Sequence, residues 1–220
     1  MYACIREEAT VSRTAATASR PDSTPNRKLT YEEFLAWNGP DRRIEWVRGE
    51  VSVLSPVSDR HADLVGFLSA LIRHFVEAHD LGIVRSDLFQ IKTAPDLPGR
   101  IPDVLFLARE HLTRLRRNHL AGPADLAIEV ISPDDPDRDR VDKLAEYQQG
   151  GVREFWLLDP ELRQAAFYRL DDQGRYQPMA LDENGRYHSV VLPGLWLEVG
   201  WLWQEPLPRL LHVLREWGLV

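Results

Sequence analysis

The sequence predicts an α/β protein, and three observations carry that expectation. The segments Ile101–Leu107 and Leu126–Ile131 are apolar on both alternating faces, as central strands covered on each side are. Between Asp59 and His79 runs a long amphipathic stretch that reads as a helix able to cover one of those faces. Toward the C-terminus, short alternating runs are separated by glycine-containing turns, the pattern of an antiparallel meander.

Residues 1–27 are rich in Ser, Thr, Ala and Pro, lack an apolar period, and read as a disordered tail. Ordered structure is expected from Leu29. Thr30 with Glu33 three positions on is a capping-box pair, which predicts a short helix to about Trp37. Arg43 to Leu54 alternates as a β-hairpin with Arg48-Gly49 at its turn. Ser58 caps the long helix, whose stripe is Leu64, Leu68, Leu71 and Phe75, widened by Val65, Ile72 and Val76. Gly82 ends it.

Strands are predicted over Val84–Thr93, Pro102–Leu107 and Asp125–Ile131, with a short basic helix over Glu110–His119. Asp137 to Gln149 reads as a second helix, stopped by Gly150-Gly151, with Val141, Leu144 and Ala145 facing inward. Arg153–Asp159 is a strand closed by Pro160. The meander is expected from Ala165–Leu170, Tyr176–Leu181 and Tyr187–Val191, with turns at Asp172-Gln173-Gly174 and Glu183-Asn184-Gly185. A last helix spans Leu207 to Trp217.

The chain has 220 residues, 44% of them hydrophobic and 28% charged, the composition of a globular protein with a substantial core. No apolar run approaches the roughly 20 residues that span a bilayer. The one cysteine, Cys4, excludes an internal disulfide framework and a cysteine-rich zinc site, and a reducing cytoplasm is the expected setting. A net charge of −7 argues against strong non-specific attraction to nucleic acid. It does not exclude a nuclease, because acids that hold metal ions add to the negative count. There is no P-loop, no dinucleotide-binding glycine pattern, no HExxH pair and no G-x-S-x-G elbow.

Two acids stand inside the apolar strands. Asp103 shares an alternating face with Leu105 and Leu107, and Glu129 with Ala127 and Ile131. An unpaired carboxylate in such a place costs several kcal/mol, so it protonates, finds a partner or binds a metal. For one buried acid, pairing with an arginine or with backbone donors is the simpler account. For two on neighbouring strands, a cradle for Mg²⁺ or Mn²⁺ is favoured, provided the register puts both on one face.

Other candidates are weaker on pattern alone. Lys143 lies on the flank of the second helix, where an exposed pair with Asp139 is the better account. Glu50 and Glu45 are hairpin acids with arginines nearby. His61 occupies the first turn of the long helix and points toward the packed side, where a lone histidine is more often structural. Arg138 and Arg140 lie beside the candidate site.

The string Pro102-Asp103, then Glu129-Val130-Ile131-Ser132-Pro133, then Lys143-Leu144-x-x-Tyr147-x-x-Gly150-Gly151-Val152-x-Glu154-Phe155-Trp156-x-x-Asp159-Pro160 resembles the Uma2 family (DUF820) of restriction-endonuclease-like proteins. Glu45-x-x-x-Gly49-Glu50, His61 and Val191-Leu192-Pro193-Gly194-Leu195 look like the same family. The order is consistent from Leu29 to Trp203. The family is similar to the PD-(D/E)XK nuclease superfamily, which implies a mixed central sheet flanked by helices, with the acids at its centre and residues 28–220 as one domain. The resemblance places the motif acids on Asp103 and Glu129. Ile131 stands where the superfamily pattern has lysine, and the family resemblance moves that role to Lys143. A preceding acid maps to Glu50 or Glu45, with Glu50 preferred.

The expected function is a metal-dependent endonuclease acting on DNA. Asp103, Glu129 and Glu50 hold Mg²⁺ or Mn²⁺, Lys143 positions water or stabilises charge, and His61 supports the phosphate. The alternative is a catalytically weak or inactive nuclease-fold module that binds nucleic acid or a protein partner. A homodimer, which could place two sites on opposite DNA strands, is expected in either case. A third possibility is a structural dimer built on exposed strands and tryptophans.

Overall fold

The computed structural model describes residues 24–37, 44–53, 56–86, 89–132 and 138–220, with the side chains of residues 138–140 excepted. The expected N-terminal tail therefore lies almost wholly outside the described residues, as do Arg43, Leu54 and the Arg138 and Arg140 side chains.

Helix α1 (Tyr31–Ala36) begins as predicted: Thr30 Oγ1 accepts from the Glu33 N–H, and the Glu33 carboxylate accepts from the Thr30 N–H. Strands β1 (Ile44–Val47) and β2 (Glu50–Val53) form the predicted hairpin. Arg48 and Gly49 both have positive φ, 51° and 92°, the turn geometry that matches strand twist.

Helix α2 (Asp59–Ala78) is capped by Ser58, whose hydroxyl accepts from the His61 N–H. Its buried side is the predicted stripe of Leu64, Leu68, Leu71 and Phe75 with Val65, Ile72 and Val76. Asp80, at φ 54°, turns the chain after it. Gly82 is the first residue of β3, where a Cβ would lie 2.1 Å from the Leu107 carbonyl oxygen of the neighbouring strand.

The strand predicted over Val84–Thr93 is two strands. β3 (Gly82–Ser86) and β4 (Gln90–Lys92) belong to different sheets. Arg85, Ser86 and Asp87 interrupt the apolar pattern between them, but periodicity alone does not assign the two pieces to different sheets. The remaining strands are β5 (Gly99–Arg100), β6 (Val104–Ala108), β7 (His119–Ala121), β8 (Leu126–Val130), β9 (Glu154–Asp159), β10 (Gln164–Leu170), β11 (Tyr176–Pro178), β12 (Arg186–His188) and β13 (Trp196–Glu198). In place of the basic helix is a 3₁₀ segment over Arg109–Arg114, followed by β7.

One sheet has the order β11-β10-β9-β8-β6-β3 and the other β2-β1-β5-β4-β7; each contains one parallel pair, β8 with β9 and β4 with β7. The six-stranded sheet is covered on both faces. On one side α2 and α4 (Leu210–Glu216) pack with Val104, Phe106, Ile128, Val130, Trp156 and Leu158. On the other, Leu105, Leu107, Ala127, Phe155 and Leu157 meet Ile91 and Leu120 of the five-stranded sheet and Tyr147.

The meander holds for β9, β10 and β11, but its third member does not join. Instead, β12 pairs with β13 in a separate two-stranded sheet. The reason is a buried acid. Glu154 Oε2 accepts from the N–H groups of Val190 (2.8 Å) and Val191 (3.0 Å) and from the Ser189 hydroxyl (3.1 Å), so those backbone donors are taken.

The second helix also differs. A π-helical turn over Arg138–Lys143 precedes α3 (Leu144–Gln149). The buried face is rotated from the one expected: Leu144 packs on the core, but Val141 is 66% exposed and Ala145 is exposed, while Lys143 and Tyr147 are buried. The wider turn shifts the phase of the helix. Lys143 and Tyr147, four apart, then share a polar anchor beneath them, which outweighs burial of one valine.

Candidate active site at the start of strand β6

Strands β6 and β8 are antiparallel, with Val104 opposite Ile128 and Leu105 opposite Ala127. Continuing that register by one residue sets Asp103 opposite Glu129. Asp103 sits in the bend just before β6, and its Oδ2 accepts from the Val130 N–H at 2.8 Å. His61 Nε2 faces the same oxygen at 3.3 Å, reaching from the first turn of α2 around the end of the sheet. Burial pushes the Asp103 carboxyl up, but the His61 hydrogen bond and charge, the Lys143 ammonium and the Val130 N–H together hold it below the usual carboxylate value.

Both Glu129 oxygens are engaged. Lys143 Nζ donates to Oε2 at 2.5 Å and the Tyr147 hydroxyl to Oε1 at 2.6 Å. Burial first, then the charge and hydrogen bond of Glu129, raises the Tyr147 hydroxyl well above its ordinary value, so it remains a donor. Asp103, Glu129, Lys143 and His61 are thus brought together, all at 5% exposure or less.

Glu50 is not. Its side chain is 75% exposed at the turn end of the outer strand β2, 4.0 Å from Lys28. The hairpin acid that turns inward is Glu45, which is fully buried. It accepts from the Ile101 N–H at 3.0 Å and from Arg100 Nη1 at 2.8 Å. Arg100 also grips Glu146 of α3 with Nε at 2.6 Å and Nη2 at 3.0 Å. The sequence pattern does not single out Arg100 or Glu146. The available signal was Glu146 beside Tyr147 on the helix that carries Lys143.

This cluster holds four carboxylates (Asp103, Glu129, Glu45 and Glu146) against two basic side chains (Lys143 and Arg100), a formal charge of 2 − 4 = −2 with all six ionised and before His61 is counted. Burial of acids is not by itself a site: Glu154 and Asp125 are as deeply buried, yet backbone and side-chain donors satisfy them structurally. Among the described residues, no three His, Cys, Asp or Glu side chains converge to form a closed metal cage. The donor set of Asp103 and Glu129 fits an ion that takes one or two carboxylates and completes its shell with water and substrate phosphate, as Mg²⁺ and Mn²⁺ do. A cleft of about 480 Å³ opens beside Asp103 and His61.

The model of the Uma2 family, described as "Putative restriction endonuclease", matches residues 31–200. The chain belongs to the Uma2 family. A solved structure titled as a "putative nuclease belonging to DUF820" from Anabaena variabilis ATCC 29413 has the same fold, with a TM-score of 0.65 at 18% identity. The match covers 80% of this chain and 97% of that one. No curated protein matches the chain. The Uma2 fold is therefore that of a nuclease-like α/β protein, with mixed sheets flanked by helices. Among the described residues no helix is long and apolar enough to cross a membrane.

Proposed function

We propose that the protein is a divalent-metal-dependent endonuclease that hydrolyses DNA phosphodiester bonds. The observation that carries this reading is that Asp103 accepts from the N–H of Val130, the residue next to Glu129, while Lys143 Nζ donates to Glu129. Asp103 and Glu129 would hold Mg²⁺ or Mn²⁺. Such an ion supplies Lewis acidity to a phosphate oxygen and a more acidic water. Lys143 would place its ammonium beside the phosphoryl group and orient the attacking water. Tyr147 fixes the second Glu129 oxygen. His61 uses Nε2 on Asp103, while its Nδ1 is buried with no hydrogen bond among the described residues, so His61 would support the phosphate or the water network through Asp103. Arg100 and Glu45 set the backbone before Asp103.

The test is Mn²⁺-dependent cleavage of plasmid and oligonucleotide by wild type, Asp103→Asn, Glu129→Gln and Lys143→Met. Wild type should cut, and each variant should lose most of the activity. Equal cutting by all four would assign the activity to a contaminant.

One observation favours a second reading, that of a non-catalytic nuclease-fold module. Lys143 and Tyr147 already occupy both oxygens of Glu129, so a cation of the chain itself stands where a metal would bind. Calorimetry separates the two. Mn²⁺ affinity that Asp103→Asn removes supports the enzyme, and absence of binding by wild type supports the module.

A further inference from the structure

We infer that the flank of α2 is a track for the sugar-phosphate backbone of one DNA strand, with Arg73 as a phosphate-binding residue remote from the chemistry. This inference rests on the nuclease reading and adds where the substrate lies. The cleft beside Asp103 continues along α2 past His61, Ala62, Gly66, Ser69, Arg73 and His74. These positions recur at helical spacing, so they form one strip about 20 Å long at ~1.5 Å per residue. The opposite wall is the edge strand β3, which contributes Ser86.

Three features make this strip more than a row of small residues. His61 stands at one end, 4% exposed, with Nε2 on Asp103 and Nδ1 without a hydrogen-bond partner among the described residues. The middle holds hydroxyl groups: Ser69 Oγ donates to Ser86 Oγ at 3.2 Å where the helix meets the edge strand, and each hydroxyl retains capacity for a ligand oxygen. At the far end is Arg73, half-buried, with Nη2 on the Val84 carbonyl at 3.3 Å and its other N–H groups open to a ligand among the described residues. His74 lies beside it. The order from acid to hydroxyl to guanidinium suits a chain of phosphates that starts at the metal-binding end.

Gly66 supplies an independent argument. A glycine inside a helix costs roughly 0.5–1 kcal/mol relative to alanine. Here no neighbour requires it, because a Cβ at Gly66 would meet nothing within 4 Å. The open space above it is the floor of the cleft, where a missing side chain lets a ligand backbone approach the helix. The strip is one helix flank wide, which suits a single strand and not both strands of a duplex.

The test measures binding apart from cleavage. Fluorescence anisotropy of a short labelled single-stranded DNA is followed in Ca²⁺, across a salt series, for wild type, Gly66→Leu and Arg73→Gln, with calorimetric Mn²⁺ titration of each. Gly66→Leu should weaken DNA binding several-fold by filling the floor, with Mn²⁺ affinity unchanged. Arg73→Gln should weaken binding and lower the salt slope by about 0.7, as loss of one phosphate contact does on a single strand. Wild-type affinity and slope in both variants overturn the track, as does wild type that fails to bind the single strand or prefers its duplex. Binding that obeys these expectations in a protein that never cuts DNA would leave the track standing and remove the nuclease.

Discussion

Lys143 Nζ and Glu129 Oε2 lie 2.5 Å apart in the interior, with the side chains 5% and 1% exposed. The lysine arrives from the helix after β8, not from the strand itself, and Ile131 remains part of the apolar face. Removing one partner of such a pair leaves a buried charge uncompensated, at about 3–5 kcal/mol. Lys143→Met should therefore lower unfolding free energy by about that amount as well as abolish cleavage. Adding Glu129→Gln should recover part of the loss. Strictly additive single and double variants in urea denaturation would show that the two residues are not coupled.

Tyr147 supplies the other contact to Glu129. Tyr147→Phe keeps the ring packed on Phe155, whose centroid is 5.1 Å away, and deletes the hydrogen bond alone. The cost should be about 1.5–3 kcal/mol, the range for a bond to a charged group. Cleavage should fall without vanishing, because Lys143 still holds Oε2. Full activity in single-turnover assays would remove Tyr147 from the site.

Asp103 links stability to pH in the metal-free protein. Its carboxyl is held below the ordinary value of 3.8, so the folded state binds fewer protons there than the unfolded chain. Its contribution is complete above pH 3.8 and is lost as pH falls through the depressed folded value. Asp103→Asn should flatten that part of the acid limb in denaturant midpoints measured with EDTA. An unchanged acid limb would contradict the contacts assigned to this carboxylate.

Gly66→Ala should raise the melting temperature, by the equivalent of about 1 kcal/mol, since its methyl group meets no neighbour. Thermal unfolding by circular dichroism checks this. A fall in melting temperature would mean that the helix flank is packed more tightly than its geometry indicates.

Glu154 serves as a control for buried acids. Glu154→Gln should destabilise the fold by weakening the anchor of residues 189–191 while leaving Mn²⁺ affinity intact. Loss of metal affinity in that variant would break the distinction between structural and functional carboxylates.

Features set by near neighbours in sequence were readable in advance. The capping box at Thr30 and Glu33, the Arg48-Gly49 turn and the stripe of α2 each depend on residues a few positions apart. Asp103 and Glu129 stood out because a carboxylate is conspicuous within an apolar run. The pattern puts Lys143 on the flank of its helix, where an exposed pair with Asp139 is the simpler account, and a helical wheel does not anticipate the π turn in which Lys143 is buried. The sequence does not separate Glu45 from Glu50, since only tertiary contacts tell the inward acid from the edge-strand one. Arg100 and the division between β3 and β4 depend on partners in other layers, which no local period encodes.

Arg100 joins residues 55 positions before it and 46 after it through a single guanidinium. The hairpin, the bend leading into Asp103 and the helix bearing Lys143 are therefore fastened at one rivet. A fragment that omits either flank would still contain the motif acids, yet have no means of setting them in place.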